Sequence, residues 1–261
     1  MSETQTQEVG IVLPGDNRAR VLNTTTNPAR WVGQIETTWQ NGDVTLGTGT
    51  LIGERYVLTC AHNFYNRRTD KYCRSAKFGP GFNRTAANAP EQPFGSYDFD
   101  GWEVPEDYRL HGLPAPPVGG VLPRDMTGYL HDYAVGRLDR FVRNDLGESA
   151  MAPSWPGEAT VNGLGCQING YSGDLDPTAH TQYTRNGPVQ MTDDHDFVVY
   201  KMSTYHGDSG APVYYQPPNR QFWSIIGVHV TGVAAVPAAN GFNFAPALSG
   251  ARLDWILERT N

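Results

Sequence analysis

Residues 207–212 read Gly-Asp-Ser-Gly-Ala-Pro and run directly into the apolar stretch 211–215. A serine hydroxyl is a poor nucleophile unless a neighbouring base takes its proton. The glycines around Ser209 let the backbone turn so that two N–H groups point to one spot, where they can hold an oxyanion. This stretch predicts a nucleophilic serine in a tight loop before a β-strand, and an ordinary turn is the alternative.

Two other segments carry the residue types that activate a serine. Residues 59–62, Thr-Cys-Ala-His, end an apolar run and place His62 at the edge of a predicted strand. Residues 131–135, His-Asp-Tyr-Ala-Val, place Asp132 just before another strand. A lone buried histidine, or a lone aspartate before a strand, is usually structural. The three together, each at a strand edge in the order His, Asp, Ser, predict a catalytic site.

Most of the chain predicts short strands separated by turns. The 261 residues include 29 Gly and 19 Pro, which favours turns and argues against a helical bundle. One helix is predicted over 248–259, with Ser249 as its N-cap. Residues 67–128 show little periodicity and predict inserted loops with a few short strands. Strands are predicted in five stretches: 31–39, 45–59, 197–202, 211–215 and 224–230. The stretch 45–59 is predicted to hold two strands joined by a turn at 53–55.

Composition and charge exclude several classes of function. Apolar residues make up 39% of the chain and charged residues 18%, which is enough apolar surface for a core. A net charge of −7 disfavours a general nucleic-acid-binding surface. No stretch is long and apolar enough to predict a membrane span. Neither an HExxH motif nor paired Cys/His spacing for zinc is present, so no metal is predicted.

The chain has three cysteines, Cys60, Cys73 and Cys166. An odd number leaves at least one thiol outside any intrachain bridge, which excludes a disulfide scaffold. Cys60 is predicted to be a small buried residue. A bridge between Cys60 and Cys73 stays open, because the loop between them is short.

With these motifs in place, the chain resembles the chymotrypsin-fold serine proteases, and most closely the glutamyl endopeptidases of bacteria. The resemblance runs from about Ile11 to the C-terminus and rests on the three segments above. Weaker landmarks agree with it, at 11–26, 170–174, 227–229 and 240–241. The resemblance implies an all-β fold of two six-stranded antiparallel barrels with a C-terminal α-helix.

The resemblance also implies two units. Residues 11–140 would form the first barrel, with the histidine and the aspartate of the site and with the inserted loops 67–128. Residues 141–261 would form the second barrel, with the serine and the terminal helix.

The mechanism implied by the resemblance assigns one role to each residue. Ser209 would attack the scissile carbonyl, His62 would take the hydroxyl proton and return it to the leaving amine, and Asp132 would fix the imidazole. The N–H groups of Gly207 and Ser209 would hold the oxyanion. No cofactor is required for this chemistry.

Three further residues would form the pocket for the side chain that precedes the scissile bond. Ser203 stands six residues before the nucleophile, at the base of that pocket in this fold, and it is uncharged. Cleavage after Lys or Arg is therefore disfavoured. By resemblance, Thr204 and His229 would read an acidic side chain, because a buried carboxylate needs hydrogen-bond donors. A preference for Glu, and then for Asp, follows as a hypothesis.

The N-terminus leaves two alternatives open. Residues 1–10 are predicted to be a removable pro-segment or disordered, which would make Ile11 the mature first residue. Its α-amino group would either take part in acid recognition, as the resemblance implies, or pair with Asp208. Residues 1–10 lack the features of a secretory signal, so a secreted location is implied by resemblance alone and a cytoplasmic one stays open.

Two other functions compete with this hypothesis. One is a chymotrypsin-fold protease of other specificity that acts on a single intracellular target. The other is a catalytically silent homologue used as a binding module, against which the intact His, Asp and Ser set argues. The partner implied is a protein or peptide substrate, with no nucleic acid and no membrane, and the chain is predicted to be a monomer.

Overall fold

The computed structural model describes residues 10–111, 126–149, 151–235 and 237–260, so the predicted pro-segment lies outside the described residues except for Gly10. The strands before residue 140 are β1 (Ala19–Arg20), β2 (Val32–Thr38), β3 (Val44–Leu51), β4 (Tyr56–Thr59), β5 (Tyr65–Asn66), β6 (Lys71–Tyr72), β7 (Ser75–Pro80), β8 (Asn83–Arg84), β9 (Pro90–Glu91), β10 (Tyr97–Glu103) and β11 (Ala134–Leu138). The later strands are β12 (Met151–Pro153), β13 (Gly165–Gly170), β14 (Tyr183–Met191), β15 (Phe197–Tyr200), β16 (Pro212–Tyr215), β17 (Trp223–Val228), β18 (Thr231–Val233) and β19 (Phe242–Pro246).

Helices are short in the described ranges, and the last is the longest. The α-helices are α1 (Glu106–Leu110), α2 (Thr127–Leu130), α3 (Arg143–Leu146), α4 (Glu158–Val161) and α5 (Gly250–Glu258). Single 3₁₀ turns occupy Ala29–Trp31, Ala61–Asn63 and Ala238–Asn240.

Six strands of the first half close into a barrel in the order β10-β11-β4-β3-β2-β7. Successive side chains of a strand point to opposite faces, so in β7 Phe78 is buried while its neighbour Lys77 is exposed. The barrel interior also contains Ile35, Leu51 and Val57, each with no exposed surface. Burying a side chain of this size contributes about 1.5–3 kcal/mol to stability.

Two of these barrel strands, β7 and β10, lie within 67–128, where the sequence predicted inserted loops with a few short strands and located none of them. In β10 Tyr97 and Phe99 are buried and Asp98 and Asp100 are exposed, which is the alternation of a half-buried strand. The alternation lasts only four residues before the pairing register shifts at 99–101. Such a short pattern among many Pro and Gly residues is difficult to recognise in the sequence.

The second barrel follows the strand path β17-β16-β13-β14-β15-β19. A bridge between Gly227 and Ala247 joins the two ends of this path. The short strands β12 and β18 extend the sheet at its margins, and β1 pairs with β14. The prediction of two barrels and a terminal helix is confirmed. Within the predicted first unit, 11–140, the strand β1 pairs with β14 of the second barrel.

Helix α5 ties the C-terminus to the first barrel. The Trp255 ring packs edge-on against Tyr133, with ring centroids 5.3 Å apart. The Arg259 guanidinium lies 2.7 Å from the Glu103 carboxylate. Ser249 stands at the N-cap position as predicted, but its side chain makes no capping hydrogen bond. The helix is therefore held by contacts along its length rather than by a side-chain N-cap.

All three cysteines are buried and free, so the bridge that the sequence left open between Cys60 and Cys73 does not form. Among the residues described, none of the helices combines the length and the apolar composition that crossing a membrane requires.

Candidate active site

The pairing of β4 with β11 brings His62 and Asp132 together. The two strands run antiparallel, with Thr59 opposite Ala134. His62 lies on the 3₁₀ turn directly after β4, and Asp132 lies two residues before β11. Since the end of one strand and the start of the other share an edge of the barrel, the two side chains meet there. His62 Nδ1 lies 2.7 Å from Asp132 Oδ2, and the His62 N–H donates to Asp132 Oδ1 at 3.0 Å.

The electrostatics of this pair favour an oriented, basic imidazole. Asp132 has no exposed surface. Burial alone would raise the pKa of Asp132, but the charge and hydrogen bonds of His62 outweigh it and hold that pKa below its ordinary value. Burial likewise works against a charged His62, yet the Asp132 carboxylate raises the pKa of His62 well above its ordinary value. An imidazole held this way can accept a proton at Nε2.

Ser209 lies in the loop between β15 and β16, and the first barrel holds this loop in place. Thr48 on β3 donates twice, from its N–H to the Ser209 carbonyl at 2.8 Å and from its hydroxyl to the Gly207 carbonyl at 2.6 Å. The Asn63 amide also donates to the Ser209 carbonyl, at 3.1 Å. Asn63 follows His62 directly, so the turn that carries the imidazole also positions the serine.

Two glycines give this loop its shape. Gly207 has a φ of +92° and Gly210 a φ of +89°, a region that other residues rarely adopt. A Cβ at Gly207 would collide with the Tyr171 carbonyl, and one at Gly210 with the Thr48 carbonyl. Both glycines are therefore required for the close approach of the backbone on each side.

The N–H groups of this loop divide into two sets. Those of Asp208, Gly210 and Ala211 donate to backbone carbonyls at 3.0, 2.8 and 2.8 Å. In the part of the chain that the structure describes, those of Gly207 and Ser209 have no such acceptor. The predicted oxyanion donors are thus the two left available to a ligand.

Asp208 is held by a buried arginine rather than by the N-terminus. Arg185 Nη2 on β14 lies 3.1 Å from Asp208 Oδ2, and neither side chain has exposed surface. The same carboxylate accepts from the Ser172 hydroxyl at 2.6 Å and from the Tyr205 N–H at 2.9 Å. A buried carboxylate needs such partners to offset its lost hydration. Asp208 therefore has its cation within the second barrel.

In the uncut chain the Ile11 N–H is an amide, and its partner is Asn243, so the pairing of a mature Ile11 amine with Asp208 stays a prediction. The Ile11 N–H donates to Asn243 Oδ1 at 2.8 Å, and the Ile11 carbonyl accepts from Asn243 Nδ2 at 2.8 Å and from the Thr204 N–H at 3.1 Å. These bonds place residue 11 alongside β19, beside the specificity residues. Its amide nitrogen is thereby satisfied by a neutral side chain.

Thr204 and His229 converge on one point, and that point lies beside Gly10. Both residues have no exposed surface. A Cβ added to Gly10 would collide with Thr204 Oγ1 and come within 2.9 Å of His229 Nε2. Within the described residues neither polar atom has a hydrogen-bond partner. Two buried polar atoms that converge without partners are typical of a ligand-binding pocket.

His229 is held in its neutral form, and one of its two tautomers suits an acidic ligand. Burial, together with the charges of Arg185 and His62, holds the pKa of His229 well below its ordinary value. Its Nδ1 lies 2.8 Å from the Tyr200 hydroxyl. Burial also raises the pKa of Tyr200 well above its ordinary value, so the phenol keeps its proton and can donate it to Nδ1. In the tautomer with hydrogen at Nε2, that nitrogen is an N–H donor that faces the pocket.

Ser203, the third predicted pocket residue, binds the N-terminal segment. Its hydroxyl accepts from the Leu13 N–H at 3.0 Å. Ser203 is buried, so this contact uses its side chain within the protein. The structure thus groups Thr204 with His229 and gives Ser203 a separate partner.

Cys60 is buried as predicted, but it also contacts the site. Its Sγ lies 3.4 Å from His62 Nε2. The sequence places it two residues before the histidine, which gave no indication of where the thiol would point.

Three more residues of the site were not identified from the sequence: Arg185, Tyr200 and Asn243. Arg185 lies on β14, a strand that the sequence did not predict, and a charge that pairs across a barrel gives no local signal. Tyr200 and Asn243 lie opposite each other on the antiparallel strands β15 and β19. Tyr200 contacts His229 and Asn243 contacts Ile11, and both partners are distant in the sequence. Only the Asn-Gly landmark at 240–241 pointed to the region of Asn243.

The chain belongs to the trypsin-like peptidase domain family, which matches residues 47–217. It is 28% identical over 225 residues to a glutamyl endopeptidase of Bacillus licheniformis, covering 85% of this chain and 61% of that protein. It is 26% identical over 216 residues to a protein of Bacillus subtilis named extracellular metalloprotease, covering 80% of this chain and 59% of that one. The chain thus spans about three fifths of the length of these curated relatives.

Solved structures show the same fold. A Glu endopeptidase in complex with MPD superposes with a TM-score of 0.72 at 23% identity, covering 96% of this chain and 99% of that one. The protease Anisep from Arthrobacter nicotinovorans gives a TM-score of 0.65 at 13% identity, with 93% and 96% covered. A thermostable serine protease, AL20, gives 0.65 at 15% identity, with 89% and 98% covered. The architecture described above is therefore the chymotrypsin-like fold.

Removing the cation of the buried pair is expected to destabilise the protein strongly. Arg185→Met leaves the Asp208 charge buried without its partner, which typically costs about 3–5 kcal/mol. The free energy of unfolding, measured by urea denaturation, checks this.

The matched control is Arg137→Met, which breaks an ion pair with Asp100 in which both side chains are well exposed. Exposed pairs are worth at most about 1 kcal/mol. Equal losses for the two variants would contradict a structural role for the buried pair.

Proposed function

We propose that this chain is a serine endopeptidase that cleaves peptide bonds after Glu and, less readily, after Asp. One observation carries the specificity: Thr204 Oγ1 and His229 Nε2 are buried, lack partners among the described residues, and converge on one point. Both can act as donors, and a donor pair of this kind suits a carboxylate. The likeness to a glutamyl endopeptidase of Bacillus licheniformis supports the proposal.

The catalytic step uses the pair of His62 and Asp132 together with Ser209. The Ser209 hydroxyl attacks the scissile carbonyl as His62 Nε2 takes its proton, and the acyl-enzyme forms when the same proton passes to the leaving amine. Asp132 keeps the imidazole in the tautomer with hydrogen at Nδ1 and stabilises its charged form. Water then repeats these steps on the acyl-enzyme and releases the product.

The oxyanion of each tetrahedral intermediate is stabilised by the N–H groups of Gly207 and Ser209. Such a donor, aimed at developing charge in a site without bulk water, contributes roughly 3–4 kcal/mol. The loop presents these donors before the substrate arrives, because Arg185 and Thr48 fix it from opposite sides. No reorganisation is then needed during the reaction.

Neutral donors alone leave the negative charge of a bound carboxylate without a cationic partner. His229 is uncharged, and the nearest buried arginine is committed to Asp208. A positive charge in the pocket would offset the cost of desolvating the substrate carboxylate. Gly10 lies beside both donors, so the α-ammonium group of a chain that begins at Gly10 would supply that charge. The mature first residue proposed is thus Gly10 rather than Ile11.

The proposed setting follows from the substrate. A protein or peptide chain with an accessible Glu is the partner, and the enzyme acts as a monomer. Secretion is proposed on the likeness to a Bacillus subtilis protein named extracellular.

Loss of one pocket donor is expected to reduce the preference for Glu over Gln. Thr204→Val keeps the shape of the side chain and removes one hydrogen bond to the substrate. That bond is worth about 1.5–3 kcal/mol when the acceptor is the charged carboxylate of Glu, and about 1 kcal/mol when it is the neutral amide of Gln. We expect the ratio of kcat/KM for matched peptides with Glu and Gln before the scissile bond to fall by about tenfold. Steady-state kinetics on the two peptides measure it.

Two controls accompany this measurement. Thr50→Val removes another buried hydroxyl that has no partner among the described residues, in the first barrel and away from the pocket; the ratio should not change. Ser209→Ala should abolish hydrolysis of both peptides. An unchanged ratio in Thr204→Val, or faster cleavage after Lys or Phe than after Glu, would contradict the proposed specificity.

Activity is expected to require release of the segment before Gly10. Cleavage at that bond would place an ammonium group next to Thr204 and His229, because a Cβ at Gly10 would meet both side chains. Edman sequencing of the protein, fractionated by activity toward the Glu peptide, should give Gly10 as the first residue of the active fraction. Full activity in a fraction that still begins with Met1 would refute this.

A further inference from the structure

The thiol of Cys60 lies next to the atom of His62 that the proposed mechanism uses as a base. Its Sγ is 3.4 Å from His62 Nε2. The thiol has no exposed surface, whereas 13% of the imidazole side chain is exposed. Serine chemistry as described above does not require this sulfur. The Thr-Cys-Ala-His segment therefore holds a second chemical group whose use is unexplained.

The orientation of His62 is the one that zinc-binding histidines adopt. A histidine that binds a metal through one ring nitrogen almost always donates the other N–H to a carboxylate or a carbonyl. Here Nδ1 lies 2.7 Å from Asp132 Oδ2. The arrangement that makes Nε2 a base thus also makes it a good zinc ligand.

The distance between Cys60 Sγ and His62 Nε2 also fits two ligands of the same zinc ion. Zinc binds thiolate sulfur at about 2.3 Å and imidazole nitrogen at about 2.0–2.1 Å, and a tetrahedral angle between them separates the two ligand atoms by about 3.6 Å. The observed separation is 3.4 Å. One ligand atom from each of Cys60, His62 and Asp132 lies within 4.8 Å of the others. A zinc ion would need only a small movement of the side chains.

We propose that Cys60 and His62 form a binding site for a single zinc ion, which inhibits the enzyme reversibly, with Asp132 as the outer partner that orients the imidazole. Two protein ligands leave the remaining positions to water. The inhibition rests on the proposed function, because it requires His62 to be the catalytic base; the binding of zinc does not.

The coordination step involves no oxidation or reduction. The Cys60 thiol releases its proton to solvent, and the resulting thiolate donates an electron pair to the ion. The lone pair of His62 Nε2 forms the second bond. While the ion is bound, this lone pair is not available to the Ser209 hydroxyl, so acyl transfer stops. A chelator that removes the ion restores the base.

The first test is inhibition by zinc chloride. Hydrolysis of the Glu peptide by the wild-type chain should fall with added zinc and recover on addition of EDTA. In Cys60→Ala, the zinc concentration for half inhibition should be at least tenfold higher than in the wild type. Inhibition is expressed as a fraction of each variant's own zinc-free rate. Cys60→Ser replaces the alanine variant if that variant does not fold. Cys166→Ala is the matched control, because Cys166 is a buried free thiol in the second barrel; it should be inhibited like the wild type.

The second test measures binding without activity. Cobalt(II) bound to a thiolate gives a sulfur-to-metal charge-transfer band in the near ultraviolet, and zinc should abolish that band by competition. The band should appear with the wild type and Cys166→Ala and be absent with Cys60→Ala or Cys60→Ser. Absence of the band in the wild type, or half inhibition at the same zinc concentration in the Cys60 variants, would overturn the proposal. A band in a protein that hydrolyses no peptide would support the site and refute the proposed function.

Discussion

The Asp208 carboxylate lies wholly inside the second barrel, where Arg185 meets it at 3.1 Å and the Ser172 hydroxyl and the Tyr205 N–H donate to it. This contact fixes one side of the loop that carries Ser209. The other side is fixed by Thr48 of the first barrel. The direction of the loop N–H groups and the position of Ser209 follow from these two attachments. A site built between two barrels depends on such contacts, because neither barrel alone determines it.

The charges of the site are arranged so that each buried acid has a basic partner. Asp132 is paired with His62, and Asp208 with Arg185. Burial, and then the charge of Arg185, hold the pKa of His229 well below its ordinary value. The proposed pocket therefore offers neutral donors, and the proposed source of a positive charge is the α-ammonium group of the mature chain. This is the physical reason for linking specificity to the residue that begins the mature chain.

Much of the fold could be predicted from local patterns, and most of the site from three short segments. The Thr-Cys-Ala-His and Gly-Asp-Ser-Gly stretches could be recognised because each is local. In each, the turn and the residue that it presents lie within a few positions of a strand end. The strands β7 and β10 were missed because their alternation is short and surrounded by Pro and Gly. Arg185 and Asn243 could not be assigned because their partners, Asp208 and Ile11, are distant in the sequence and meet only through barrel pairing. The contact of Cys60 with the imidazole depends on a side-chain direction in a 3₁₀ turn.

The most direct measurement is mass-spectrometric profiling of the bonds cut in a diverse peptide library, with the wild-type chain and with Ser209→Ala side by side. We expect cuts after Glu, then after Asp, and none with the variant. Cuts that follow Lys, Arg or aromatic residues, or cuts that persist in Ser209→Ala, would contradict the proposed function.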